Sequence, residues 1–123
     1  MSFKDPYRSL RDIADAIGLI AEFTAGMDFE AFRPDLKTVA AVERKLLVIS
    51  EAAIRLGDSA DALCAGIPWH KVRGAGNWLR HKYDRIDLES VWATLEEDLP
   101  PLRTAVARAL VARALNDTLK DPS

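Results

Sequence analysis

The residues best equipped for chemistry lie between Trp69 and Ile86, in the run WHKVRGAGNWLRHKYDRI. His70 and His81 are the only histidines. Imidazole is the one side chain whose unperturbed pKa, near 6.5, lets it give and take protons at neutral pH. His70 has no acid or nucleophile at helical spacing and reads as a surface residue. His81 is different. Arg80 precedes it, Lys82 follows, and Arg73, Asn77, Asp84 and Arg85 lie within about two turns. At about 100° per residue, Arg73, Asn77, Arg80 and Asp84 fall within roughly 80° of one another, with His81 at the border of that stripe. The result is a polar, mainly cationic ridge, which is either a solvated helix face or a site for an anion. Gly74 and Gly76, one turn earlier, favour a site, because glycine inside a helix marks close approach of a backbone or a ligand. Beside cations, that points to a phosphate or a second subunit. Tyr83 lies about 200° from His81 on a regular helix, so the two share a site only if the helix ends or distorts near Lys82.

Helices must position this ridge. Asp5 before Pro6 reads as an N-cap with proline at the first helical position. Leu10, Ile13, Ile17, Ile20 and Ala21 then carry a helix from about Pro6 to Ala25, stopped by Gly26. Met27 to Pro34 reads as a turn or short helix folding Phe29 and Phe32 onto the core. Asp35 caps a long helix whose broad apolar face, from Leu36 to Leu56, marks it as the central one, closed by Gly57. Asp58 and Ser59 offer capping oxygens before the short apolar run Ala60 to Ala65, which Gly66 ends. Pro68 opens the helix that bears the ridge, with Val72 and Leu79 on its packing face and Trp69 and Trp78 as further candidates for it. Asp87 caps the next, along which Leu88, Val91, Trp92, Leu95 and Leu99 align. Pro100 and Pro101 lack N–H groups and clash with the preceding turn, so a kink or break is expected there. The apolar period resumes to about Leu115, with fraying from about residue 116.

No strand pattern or repeat competes. The expectation is an all-α, antiparallel four-helix up-and-down bundle with a short extra helix and a Pro-kinked last helix, forming one domain over residues 1–123. With 49% hydrophobic and 29% charged residues the composition is that of a globular chain rather than a disordered one. A single cysteine, Cys64, and an N-terminal stretch without a long apolar run suggest a cytoplasmic location. The richest apolar stretch is cut by six charged residues between Lys37 and Arg55, so no membrane span is expected. The net charge of −2 gives no global attraction to nucleic acid, leaving recognition to a local patch. Neither a phosphate loop, a metal-spaced Cys/His set nor a nucleophilic-serine motif is present, so neither metal nor cofactor is called for.

The run IPWHKVRGAGNWLRHKYDRID resembles the signature region of the HepT-like toxins of the HEPN superfamily, in which an arginine and a polar residue precede His-x-Tyr. VERKLLVISEAAIRL, from Val42 to Leu56, resembles that family's second helix, and the likeness covers roughly Asp5 to Leu102. It implies a helical bundle, a homodimer that joins two motifs, and metal-independent cleavage of RNA. It also implies a nucleotidyltransferase antitoxin that adenylylates the motif tyrosine. Carried onto this chain, His81 is the acid–base residue, Arg80 or Arg73 holds the phosphate, Asn77 and Lys82 support it, and Tyr83 is the modified hydroxyl. The likeness departs at one place: where the family carries its arginine, this chain has Gly74, Ala75 and Gly76. Two other readings follow from that departure and from the bare ridge. One is a non-catalytic HEPN domain binding a nucleotide or a nucleotidyltransferase; the other is a helical interaction module with the ridge as its dimer surface.

Overall fold

The computed structural model describes residues 5–81 and 87–120, with the side chains of Asn77, Trp78, Arg80, His81 and Lys120 excepted. All of the regular structure among them is helical. Helix α1 spans Pro6–Phe23, α2 Phe29–Phe32, α3 Leu36–Leu56, α4 Ser59–Leu63, α5 Trp69–His81, α6 Leu88–Ala93 and α7 Leu99–Lys120.

Aspartates start four of these helices. Asp5 accepts from the Tyr7 N–H, Asp28 from Ala31, Asp35 from Thr38, and Asp87 from Glu89 and Ser90. Each carboxylate answers an N–H that the helix itself leaves without a partner. The Thr38 backbone and hydroxyl bonds hold the Asp35 carboxyl below its usual pKa. Asp58, expected to act likewise, makes no side-chain cap bond to α4. Gly26, Gly57 and Gly66 supply the positive φ angles of 75°, 52° and 86° at which the chain turns after α1, α3 and α4.

The central position expected of the second long helix is the one α3 takes, packing along α1 on one side and α5 on another. Val42, Ala52 and Ala53 of α3 and Leu10 and Ile13 of α1 are fully buried between them. Arg55, near the end of α3, bonds Ser9 and Asp12 near the start of α1, so the pair runs antiparallel. On the other flank of α1, Arg113 of α7 covers the Tyr7 ring at 4.4 Å and Arg103 approaches Gly18, which makes α7 antiparallel to α1 as well. Helix α2 seats Phe32, with no exposed surface, 4.9 Å from the Trp92 ring of α6.

Of the kink or break expected at the prolines, the structure has a distortion without a break, and the helix runs on past them. Helix α6 passes through a π-helical turn, Thr94–Asp98, directly into α7, and Pro100 and Pro101 occupy α7's first turn. The Leu99 N–H reaches back five residues to the Thr94 carbonyl. One wide turn thus takes up the missing N–H groups of two adjacent prolines without ending the helix. The helix then continues to Lys120, past Leu115, where the expected period ended, although residues 111–119 are all exposed. No helix among the described residues is long and apolar enough to cross a membrane.

Candidate functional site

Helix α5 begins after Pro68, whose carbonyl accepts from the N–H groups of Lys71 and Val72. Trp69 anchors this end: its ring is 2% exposed and its indole Nε1 donates to the Cys64 carbonyl at 3.0 Å. Lys71 reaches Asp98 at 3.1 Å, tying the same end to the π turn. Leu79 is buried and Val72 packs against the core, as their spacing predicts. The helix is therefore held at points from Trp69 to Leu79, and Asn77, Arg80 and His81 lie within its last turn and a half.

Arg73 turns out to face α3. Its Nε donates to the Ala53 carbonyl at 3.3 Å and its Nη2 to the Gly57 carbonyl at 3.0 Å. These carbonyls belong to the last turn of α3 and its cap, where helix geometry leaves acceptors unserved and the dipole favours a cation. Two of the guanidinium's three nitrogens are thus engaged within the fold.

The two glycines separate in character. Gly74 is exposed, and a Cβ built on it meets nothing within 4 Å. Gly76 is buried against α3, and its N–H donates to the Ser50 hydroxyl at 3.0 Å. The same hydroxyl donates to the Arg73 carbonyl at 2.7 Å. At Gly76, then, the expected close approach is real, but its partner is a neighbouring helix of the same chain. Sequence reasoning did not single out Ser50. The available signal was a serine in the middle of an aliphatic helix, where its hydroxyl must find a partner once buried.

Asn77, Arg80 and His81 share α5 with these anchors, but their side chains are outside the described set, as are Lys82 and Tyr83 entirely. His70 is exposed, in keeping with a surface role. Cys64 is buried, donates weakly to the Ala105 carbonyl, and has its thiol pKa pushed up by burial, which disfavours the reactive thiolate. Among the described residues no group of three or more His, Cys, Asp or Glu side chains is placed to hold a metal ion. A shallow open groove on α7 is lined by Arg103, Ala107, Arg108, Val111 and Leu115 among others, and by no residue of α5.

Comparison with known proteins sets this helix in a family. Residues 13–109, which include all of α5, match the family model described as "Ribonuclease HepT-like". The chain is 40% identical over 94 residues to the "Probable ribonuclease HepT" of Thermococcus cleftensis, covering 76% of this chain and 86% of that one. It is 31% identical over 106 residues to a Methanocaldococcus jannaschii protein named as a candidate RNase, covering 86% and 97%. A similarly named protein of Caldanaerobacter subterraneus is 27% identical over 107 residues, covering 87% and 96%. No solved structure gives a significant match.

Proposed function

The chain belongs to the HepT-like ribonuclease family, and we propose that it is the toxin of a toxin–antitoxin pair, cutting RNA without a metal through His81. The observation that carries this reading is the family match spanning the whole of α5. The chemistry is consistent with the residues available. A neutral His81 imidazole takes the proton of a ribose 2′-OH, and the freed oxygen attacks the adjacent phosphorus. The bond from phosphorus to the 5′ oxygen breaks, and that oxygen collects a proton from an imidazolium, which a homodimer can supply from its second copy. A guanidinium stabilises the charge that grows on the phosphoryl oxygens. Arg73 has two nitrogens engaged by carbonyls of α3, which favours Arg80 for this task and leaves Arg73 a supporting part. Asn77 and Lys82 complete the phosphate contacts. The requirement for a 2′-OH restricts the substrate to RNA.

In this reading the protein works in the cytoplasm as a single HEPN-like domain and a homodimer, with a nucleotidyltransferase antitoxin as partner. Adenylylation of Tyr83 sets a bulky anion beside the cationic ridge and blocks the substrate. Purified unmodified protein should cut total cellular RNA in the presence of EDTA, and His81→Ala should lose at least about 100-fold in rate, the usual scale of acid–base assistance. Equal rates for the two proteins, or no cleavage by either, overturn the proposal.

A second reading is favoured by one observation: Gly76, within the span where the likeness sets the family's arginine, is buried and bonded to Ser50. In that reading the domain binds a nucleotide or the nucleotidyltransferase without turnover. Nucleotide binding by calorimetry, lost in Arg80→Ala, together with no RNA cleavage would establish it.

A further inference from the structure

Ser50 sits in the middle of α3 with 1% of its surface exposed, among Leu46, Ile49, Ala52 and Ala53. Among the described residues, Ser9 is the only other buried polar side chain. A hydroxyl carries one donor and two acceptor sites, and Ser50 uses both functions on the backbone of α5. It donates to the Arg73 carbonyl at 2.7 Å and accepts from the Gly76 N–H at 3.0 Å. Aliphatic contact alone tolerates a helix that slides or rolls on its neighbour, because dispersion has no direction. A paired hydrogen bond through one buried oxygen has direction and fixes both height and roll. The bridge ends at Gly76, one residue before Asn77 and five before His81. At 1.5 Å per residue that is only about 7–8 Å of helix.

We propose that Ser50 is a positioning residue for the Asn77–His81 segment: its hydroxyl sets the roll of α5 on α3, and with it the point at which His81 is presented. Gly76 belongs to the same device, since the Ser50 oxygen occupies the approach to its backbone. This rests on the ribonuclease reading for its consequence, though not for its geometry.

The test compares wild type, Ser50→Ala and Val72→Ala on a fluorescent single-stranded RNA oligonucleotide containing a site mapped from cellular RNA, well below all three melting temperatures. Val72→Ala loosens α5's packing and leaves the hydroxyl bridge intact. Ser50→Ala should lower kcat about 10-fold with KM within two-fold, and Val72→Ala should stay within two-fold on both. The histidine ring resonances give a second readout with an internal control, since His70 is exposed and His81 lies beyond the bridge. Ser50→Ala should shift the His81 ring signals by more than 0.1 ppm, an effect on the order of a local reorientation, and leave those of His70 in place. Should Ser50→Ala not fold, Ser50→Cys replaces it. Wild-type kcat in the Ser50 variant, or an equal loss in Val72→Ala, overturns the proposal. If wild type cuts no RNA, the ribonuclease reading fails and the ring signals alone decide: an unmoved His81 overturns positioning, and a selective shift upholds it.

Discussion

Helix α5 and the second half of α7 are helical for opposite reasons. Helix α5 has two interior glycines, each costing about 1 kcal/mol relative to alanine, so its intrinsic tendency to form is poor. It is held by tertiary contacts: the Trp69 indole on Cys64, the Arg73 guanidinium on the end of α3, and the Ser50 bridge. From residue 111 onward six of α7's ten residues, Ala112, Arg113, Ala114, Leu115, Leu119 and Lys120, are good helix formers, and every residue to 119 is exposed. Its contacts there, among the described residues, include the Arg113 stack on Tyr7 and, on its own surface, the Arg113–Asp117 pair and the Thr118 hydroxyl bond to the Ala114 carbonyl. The difference teaches where structure has been fixed by neighbours and where local propensity suffices. The proposed site lies on the helix fixed by neighbours.

Arg73→Ala should open the largest gap between the two regions. It leaves the Ala53 and Gly57 carbonyls without their cationic donor, and hydrogen bonds to a charged group are worth about 1.5–3 kcal/mol each when protected from water. Arg73 is only partly buried, so a total loss of about 2 kcal/mol is expected in urea unfolding. A loss under about 0.5 kcal/mol would mean that the guanidinium is not seated on α3, and would return it to the ridge as a phosphate ligand.

The next largest effect has the opposite sign. Gly74→Ala places a methyl in open space on a helical backbone and should stabilise the protein by about 0.5–1 kcal/mol. Gly76→Ala should not share that gain, because its added carbon enters a buried position rather than open space. Equal thermal gains from both substitutions would show that the α3–α5 seam is looser at Gly76 than the 3.0 Å bond implies.

Much of this architecture was legible from spacing, and most of what escaped depends on contacts across the fold. The caps at Asp5, Asp35 and Asp87, the glycine stops and the core positions of Leu10, Ile13, Leu79, Val91 and Leu99 all follow from local rules acting within a few residues. The short helix carrying Phe32 onto the core was likewise readable. Three things were not. The ridge placed Arg73 beside Asn77 by helical angle, but an angle does not say that the end of α3 lies within reach of the guanidinium. The glycine pair gave a sound clue to close approach, yet only the packing distinguishes buried Gly76 from open Gly74. The proline pair fixed where a distortion must fall and left open its form, because a π turn and a break relieve the same missing N–H groups. The first two depend on a neighbour distant in sequence, as does Ser50, whose partners are 23 and 26 residues away.

The smallest effect is expected where α7 stands apart. Leu115 is 61% exposed and its removal empties no cavity, so Leu115→Ala should change stability by less than about 0.5 kcal/mol. Amide exchange should agree, with residues 111–119 opening more readily than residues 102–110, which meet the core on successive turns. Val111, Leu115 and Leu119 recur at four-residue steps and form an apolar stripe. If that stripe is covered in an assembly, the same substitution will cost more than 1 kcal/mol, and the cost will grow with protein concentration because association adds to apparent stability by mass action. A small, concentration-independent change therefore sustains the contrast with α5. A large, concentration-dependent one moves the end of α7 into the class of helices fixed by neighbours, with the neighbour on another chain.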